Sequence, residues 1–260
     1  MSEFKFINYS VTNRVATIAL NTPDSLNAFH QAMRLEFIDA VKLVEQDDDV
    51  RVAILTGEGR SFSAGANLKE GTKGHDSFVS QCAAEYTPWL MGIHDSSKLY
   101  IAAVNGVAAG IGSAAVMNCD LVMMADDAYL YQAFSAIGLM PDGGATWLLL
   151  QKLGYQRALE MAVDAGRLTA DECLQLGVAN KVVPAAELRE KAQAWAEHLA
   201  AGAPLAQTAV KRVMRRSFEM SYAEVIDAEA VEQTALGQSE DAANAIQAFF
   251  AKTKTVFKGR

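Results

Sequence analysis

The sequence predicts an α/β fold, and three observations carry that prediction. Apolar, β-branched segments alternate with amphipathic ones through the first two thirds. A glycine-bearing loop follows a strand-like segment twice, at 57–70 and at 105–112. The last hundred residues read mostly as helix, with little that resembles strand between 185 and 251. The composition agrees: 51% hydrophobic and 21% charged residues in 260 supply a core for one or two domains and exclude a disordered or fibrous chain.

Segments 3–10 and 13–20 are rich in aromatic and β-branched residues and flank Thr12-Asn13, which predicts a hairpin. Asn21-Thr22-Pro23-Asp24 is a turn cluster. Met33, Phe37, Val41 and Val44 recur at helical spacing, so 30–47 is expected to be an amphipathic helix. A short buried strand follows from Val50 to Thr56. The theme repeats with a helix over 76–95, a strand from Leu99 to Val104, and a small-residue helix from Ser113 to Met117. Strands are also expected from Asp120 to Ala125 and from Tyr129 to Gln132. Further on, Thr169-x-x-Glu172 and Ser221-x-x-Glu224 are capping boxes, and Pro184 and Pro204 suit first helical turns. A composition shift at 195–203 suggests a boundary between a core, 1–200, and a helical region, 201–260.

The formal net charge of −8 argues against a general nucleic-acid partner. Three scattered cysteines and four scattered histidines offer no disulfide framework and no metal-ligand spacing, so no metal is expected. The opening residues lack an apolar leader and no 18-residue apolar run follows; the expectation is a cytoplasmic protein without a membrane partner.

Three chemical constellations compete. Gly110-Ile111-Gly112-Ser113-Ala114-Ala115 matches a dinucleotide fingerprint, but the acid expected about 20 residues on at a strand end is missing and the chain opens on a hairpin. A hydrolase triad lacks the G-x-S-x-G elbow. The third constellation uses both loops. Each sets backbone N–H groups beside small residues, and the second opens a helix whose N-terminus carries partial positive charge. Two converging amides there make an oxyanion hole.

A further segment, Phe134 to Trp147 with Pro141-Asp142-Gly143-Gly144 at its centre, completes a pattern. Together with Leu20-Asn21-Thr22-Pro23, Phe62-Ser63-Ala64-Gly65-Ala66-Asn67-Leu68, Ala103-Val104-Asn105-Gly106 through Gly112, Asn118-Cys119-Asp120 and the Ala248–Lys252 tail, it resembles the crotonase (enoyl-CoA hydratase/isomerase) superfamily over essentially the whole chain. The resemblance implies a crotonase-like spiral of repeated ββα units with a C-terminal helical oligomerisation region. It also implies an acyl-CoA thioester substrate, no separate cofactor because the substrate carries coenzyme A, and a homotrimer or hexamer.

Carried over position by position, the resemblance makes the amides of Ala66 and Ile111 the oxyanion donors. Glycine is usual at the second place, and isoleucine narrows the pocket while leaving the amide intact. The two glutamates of the family's hydratases fall on Ala114 and Phe134, which cannot titrate. A third acidic position, used by some isomerases, falls on Asp142. The pattern is similar to the family's phenylacetate-degradation isomerases. A 1,3-proton shift needs one base, and apolar neighbours Ile137, Leu139, Met140 and Trp147 would raise the pKa of Asp142 if they wall the pocket. The competing role for Asp142 is a helix cap.

Coenzyme A contacts are carried to Ala64, Asn67, Leu68, Lys252 and Phe257, the tail residues often serving a neighbouring subunit. Asp24 stands where a basic residue is common. The tail holds four basic residues and no acid in its last ten, and a second basic group is Lys211, Arg212, Arg215 and Arg216. Glu85 is expected on a solvated helix face, His75 and His94 on helix surfaces, and Asp120 in a structural role. The expected activity is an enoyl-CoA isomerase. Alternatives are a hydratase using another acid, such as Glu85, or a non-catalytic acyl-CoA-binding subunit.

Overall fold

The computed structural model describes residues 4–260. β1 (Ile7–Thr12) and β2 (Val15–Leu20) form an antiparallel hairpin in which Thr12 pairs with Val15. The turn is Asn13-Arg14, one residue later than expected. Both residues have positive φ, 52° and 66°, as a two-residue hairpin turn requires. The first strand also starts later, at Ile7, and residue 3 of the expected strand lies outside the described residues.

The remaining strands are β3 (Val52–Gly57), β4 (Ser61–Ser63), β5 (Leu99–Val104), β6 (Val107–Ala109), β7 (Leu121–Ala125), β8 (Tyr129–Tyr131), β9 (Arg167–Thr169) and β10 (Lys181–Val183). They form a six-stranded sheet, β1-β2-β3-β5-β7-β10, and a four-stranded sheet, β4-β6-β8-β9. In three successive pairs, β3/β4, β5/β6 and β7/β8, the first strand joins the large sheet, the second joins the small one, and helix follows. This is the ββα repeat. The parallel strands β3, β5 and β7 are buried almost throughout, which explains their unbroken apolar runs.

Four short strands were not legible as such. β4 and β6 lie inside the two glycine-bearing loops, and β9 and β10 interrupt the supposedly helical last hundred residues. Each has three residues, too few for a period to register. Their pairing is set by the neighbouring strand: β4 on β6, β6 on β8, β8 on β9, and β10 on β7.

Two asparagines staple the loops. Buried Asn27 donates from Nδ2 to the carbonyls of Glu58 and Ser61, each at 2.9 Å. Asn105 donates to Gly59 at 2.9 Å and accepts from the Gly57 amide at 3.2 Å. The helix Gln31–Gln46 is capped by His30, whose Nδ1 accepts from the Met33 amide, and buries Met33, Phe37, Val41 and Val44. The predicted capping boxes are both formed. Pro204 opens its helix, and Pro184 stands just before a short 3-10 turn.

The helix Leu188–Ala200 lays Leu188, Ala192, Ala196 and Ala200 against the large sheet. Pro204–Arg216, Tyr222–Gly237 and Glu240–Ala251 follow. Asp120 ties the first of these to the core: it accepts from the Tyr100 amide at 2.8 Å, from Lys211 at 2.9 Å and from Arg215 at 2.7 Å. Its expected structural role holds, and it consumes two members of the second basic group. Arg212 pairs with Glu232. The tail is folded back by Asp241, which accepts from the amides of Lys258 and Gly259, each at 2.7 Å. Among the described residues no helix is long and apolar enough to cross a membrane.

Candidate active site

β4 and β6 run side by side and end in Ser63-Ala64-Gly65 and Ala109-Gly110. These ends touch. A Cβ built on Gly65 would lie 2.8 Å from the Ala109 carbonyl oxygen and 3.7 Å from the Gly110 α-carbon. Both glycines have positive φ, 94° and 52°, so the close approach and the backbone turn each require glycine. The next residues are Ala66 and Ile111. Ala66 pairs with Phe29 in a parallel bridge, but its neighbours make the hydrogen bonds: Phe29 donates to Gly65 and Asn67 donates to Phe29. Ile111 is the first residue of the helix Ile111–Asn118, where an amide has no acceptor within the helix. Among the described residues neither the Ala66 nor the Ile111 amide has a protein acceptor.

Both residues line a cavity of about 580 Å³. That is the size of a small-molecule site. The rest of its wall comes from Arg34, the loop 64–72, Phe78, Gln81, Tyr86, and the segment from Ala133 to Asp142. Ile137, Leu139 and Met140 are there as expected. Trp147 is not: it sits in the next helix and packs edge-on against Phe218, ring centroids 5.4 Å apart. One helical turn beyond Gly144, its side chain leaves on another face.

Asp142 lines this cavity. It is not the helix cap. The helix Ala145–Leu153 is capped by Gly144, with no side-chain cap hydrogen bond. Asp142 Oδ1 is buried and has no hydrogen-bond partner. Burial pushes its carboxyl pKa up to about 6, opposed only by a bond from its own backbone amide. A carboxyl held near the working pH is suited to taking and returning a proton.

Ala114 and Phe134, the two positions onto which the sequence resemblance carries a pair of glutamates, are both buried. Phe134 abuts Gly110, its Cζ 3.6 Å from a Cβ built there. Ala114 faces Gly143. Apolar side chains therefore fill both places.

Glu85 corrects an expectation. It is 2% exposed rather than solvated. A π-helical turn, Cys82–Tyr86, interrupts the expected 76–95 helix between Phe78–Gln81 and Thr87–His94, and carries Glu85 and Tyr86 inward. Glu85 accepts from Arg34 at 2.7 Å, Gln31 at 2.6 Å and His75 at 2.8 Å. Burial would raise its pKa, but these three donors and the Arg34 charge outweigh it, and the net shift is downward. An ionised carboxylate with its oxygens occupied is a poor base. His75, expected on a helix surface, lies in the turn before Phe78 with its ring against Glu85. His94 ends a helix beside Asp95, as expected of a surface residue.

Tyr86 was missed by the sequence reading. It is 4% exposed and lines the cavity, with the Arg34 guanidinium carbon 5.1 Å from its ring centroid. Burial, opposed by Arg34 and reinforced by the Asp142 and Glu85 carboxylates, raises its pKa to about 12. No spacing rule would have found it, because the π turn sets its direction.

Ala64, Asn67 and Leu68 also line the cavity, and Leu68 is well exposed at its edge. Lys252 and Phe257 do not. Lys252 caps the helix Glu240–Ala251 in a left-handed conformation, and the Phe257 carbonyl accepts from Arg51 at 2.9 Å, before the start of β3. Asp24 lies in the short 3-10 turn Pro23–Ser25 and does not line the cavity either.

Residues 10–260 match the family described as Enoyl-CoA hydratase/isomerase. A probable enoyl-CoA hydratase of Rhodobacter capsulatus is 35% identical over 98% of both chains. The 1,2-epoxyphenylacetyl-CoA isomerase of Escherichia coli is 33% identical over 98% of this chain and 99% of its own. A solved enoyl-CoA hydratase subunit from Geobacillus kaustophilus superposes with a TM-score of 0.93 at 33% identity, covering 100% of both chains. Relatives thus carry both hydratase and isomerase names over one shared fold. With this full-length match behind the paired amides and the cavity, the chain belongs to the enoyl-CoA hydratase/isomerase family, whose enzymes act on acyl-CoA thioesters.

Proposed function

We propose that the protein is an enoyl-CoA isomerase, with Asp142 as its one proton shuttle and the amides of Ala66 and Ile111 as its oxyanion hole. The observation that carries this reading is the pairing of two unused amides with a single raised carboxyl in one cavity, while Ala114 and Phe134 cannot titrate.

The steps balance without a second reactant. The thioester oxygen accepts from both amides. The Asp142 carboxylate removes a proton from C2 of a 3-enoyl-CoA, and the C2–H electron pair passes into a dienolate whose charge rests on that oxygen. The protonated Asp142 then delivers the proton to C4. The double bond moves from C3–C4 to C2–C3, and the carboxylate is restored. Each amide removed from such a hole costs ~2.7–4 kcal/mol of transition-state stabilisation. The two together make an otherwise weak carbon acid accessible to a carboxylate.

Hydration needs a second group beside the base, to activate water or deliver the α-proton. Glu85 does not supply it, being spent on Arg34, Gln31 and His75. Ala64, Asn67 and Leu68 at the cavity's edge are the proposed nucleotide contacts. Lys252 and Phe257 are assigned to a neighbouring subunit's cavity in a homotrimer or hexamer. The exposed Met214, Val231, Phe249 and Phe250 of the C-terminal helices supply apolar surface for that assembly.

The test is absorbance of the conjugated thioester with two substrates. A gain from a 3-enoyl-CoA without loss from a 2-enoyl-CoA is the isomerase result. Loss from the 2-enoyl-CoA makes the protein a hydratase. Binding without either change removes catalysis from this site.

A further inference from the structure

We infer that Tyr86 is a specificity-determining residue of this site: its hydroxyl donates to an oxygen on the acyl group, so the cavity favours oxygen-bearing acyl-CoA thioesters over plain alkyl ones. The inference rests on the proposed use of the cavity for acyl-CoA.

The argument begins with the phenol's surroundings. Tyr86 is 4% exposed, yet its side chain forms cavity wall. Its ring is flanked by Phe78 and Trp89, with centroids 6.3 Å and 6.5 Å away. These neighbours fix the ring and offer its hydroxyl no partner. Arg34 lies 5.1 Å from the ring centroid, and the Asp142 and Glu85 carboxylates act on the phenol as well, though neither accepts from its hydroxyl. A guanidinium only donates hydrogen bonds, so it can face the phenol oxygen but cannot accept the phenol proton. Among the described residues no protein acceptor takes that proton, and the hydroxyl is not one of the fully buried unpartnered atoms: it is accessible from the cavity that Tyr86 lines. Arg34 is itself fixed, donating to the Phe29 carbonyl at 2.7 Å and to Glu85 at 2.7 Å.

Solvent in the cavity can take the phenol proton; a bound acyl chain displaces that solvent and, without an oxygen of its own, leaves the donor buried and unpaired, whereas a chain that brings an acceptor does not. The rest of the cavity is largely apolar on the Phe78, Phe134, Ile137, Leu139 side. An all-carbon acyl chain would leave the phenol unpaired. An acyl hydroxyl, carbonyl or ring-ether oxygen would pair it. A site built around such a donor rejects the analogue lacking the acceptor more strongly than an apolar site distinguishes chain lengths. The π turn that holds Tyr86 here is an insertion of the kind that gathers at functional sites.

The test uses matched thioesters with no isolated double bond to shift: butyryl-CoA against 3- and 4-hydroxybutyryl-CoA, and phenylacetyl-CoA against 2-hydroxyphenylacetyl-CoA. Calorimetry gives each Kd for the wild type and for Tyr86→Phe. The expected result is that the wild type binds at least one hydroxylated partner about fivefold to tenfold more tightly than its parent, and that Tyr86→Phe abolishes the preference. Equal affinity for every pair in the wild type overturns the inference without any variant. So does a preference that survives in Tyr86→Phe. A change in the pH profile of Tyr86→Phe without a change in preference assigns the hydroxyl to Asp142 instead, and also overturns it. If the isomerase reading fails because Asp142→Asn still isomerises, the affinity comparison stands on its own.

Discussion

The Ile111 side chain packs against the bare α-carbon of Gly143, so the residue proposed to present one oxyanion amide also seats the neighbour of the proposed base. A Cβ on Gly143 would collide with Ile111 Cδ1 and come within 3.3 Å of the Ala114 Cβ. Gly143 also has φ +61°, a conformation that alanine resists. Gly143→Ala is therefore expected to displace Asp142 or Ile111 and to lower stability by roughly 1–3 kcal/mol, measured by urea unfolding. Activity should fall further than stability alone explains.

The amide of Ile111 can be deleted with little else disturbed. Proline is tolerated at the first position of a helix, which is where Ile111 sits. Ile111→Pro removes the donor; Ile111→Ala keeps it and trims the side chain. The expected ratio of kcat between the two is about 10²–10³ in favour of alanine. Equal rates would show that this amide holds no developing charge.

The pH profile follows from Asp142. With its carboxyl pushed up to about 6, kcat should rise with pH through that value and level above it, because only the ionised form removes a proton. Stability runs the other way. The folded state binds the Asp142 proton more tightly than the unfolded chain, so this group's contribution is lost as pH rises from about 4 to about 6. Asp142→Asn should lack that loss and be more stable than the wild type at pH 7 by roughly 1–3 kcal/mol. Denaturant titrations at pH 4 and pH 7 measure the difference.

Glu85 has the opposite sign. Its lowered pKa stabilises the fold above the ordinary carboxylate value, and that stability is lost as pH falls through the lowered one. Glu85→Gln leaves buried Arg34 with only the longer Glu70 contact, 3.8 Å, in place of its 2.7 Å partner, and should cost up to roughly 3–5 kcal/mol in urea unfolding. A change below 1 kcal/mol would mean that Glu70 or water compensates the Arg34 charge.

Much of the site was legible because main-chain chemistry leaves a residue signature. Gly65 and Gly110 are needed for their backbone angles and mutual contact, and Pro141-Asp142-Gly143-Gly144 must turn sharply before a helix, so these positions announce themselves in sequence. The long strands β3, β5 and β7 did so too, through their apolar runs. Glu85 and Tyr86 did not. Their inward direction comes from a π turn, which no helical period anticipates. Trp147 was misplaced because proximity in sequence was read as proximity in space, and one helical turn carried it to Phe218. The three-residue strands owe their existence to partners distant in sequence.

The most direct test of the proton shuttle is the fate of a label. A 3-enoyl-CoA carrying deuterium at C2 is converted by the wild type in ordinary water, within a single turnover, and the 2-enoyl-CoA product is analysed by mass and NMR. A single buried carboxyl returning the hydrogen it took predicts deuterium at C4 of the product. Product whose C4 hydrogen comes wholly from solvent would contradict the account, because a second group or open water would then have delivered it.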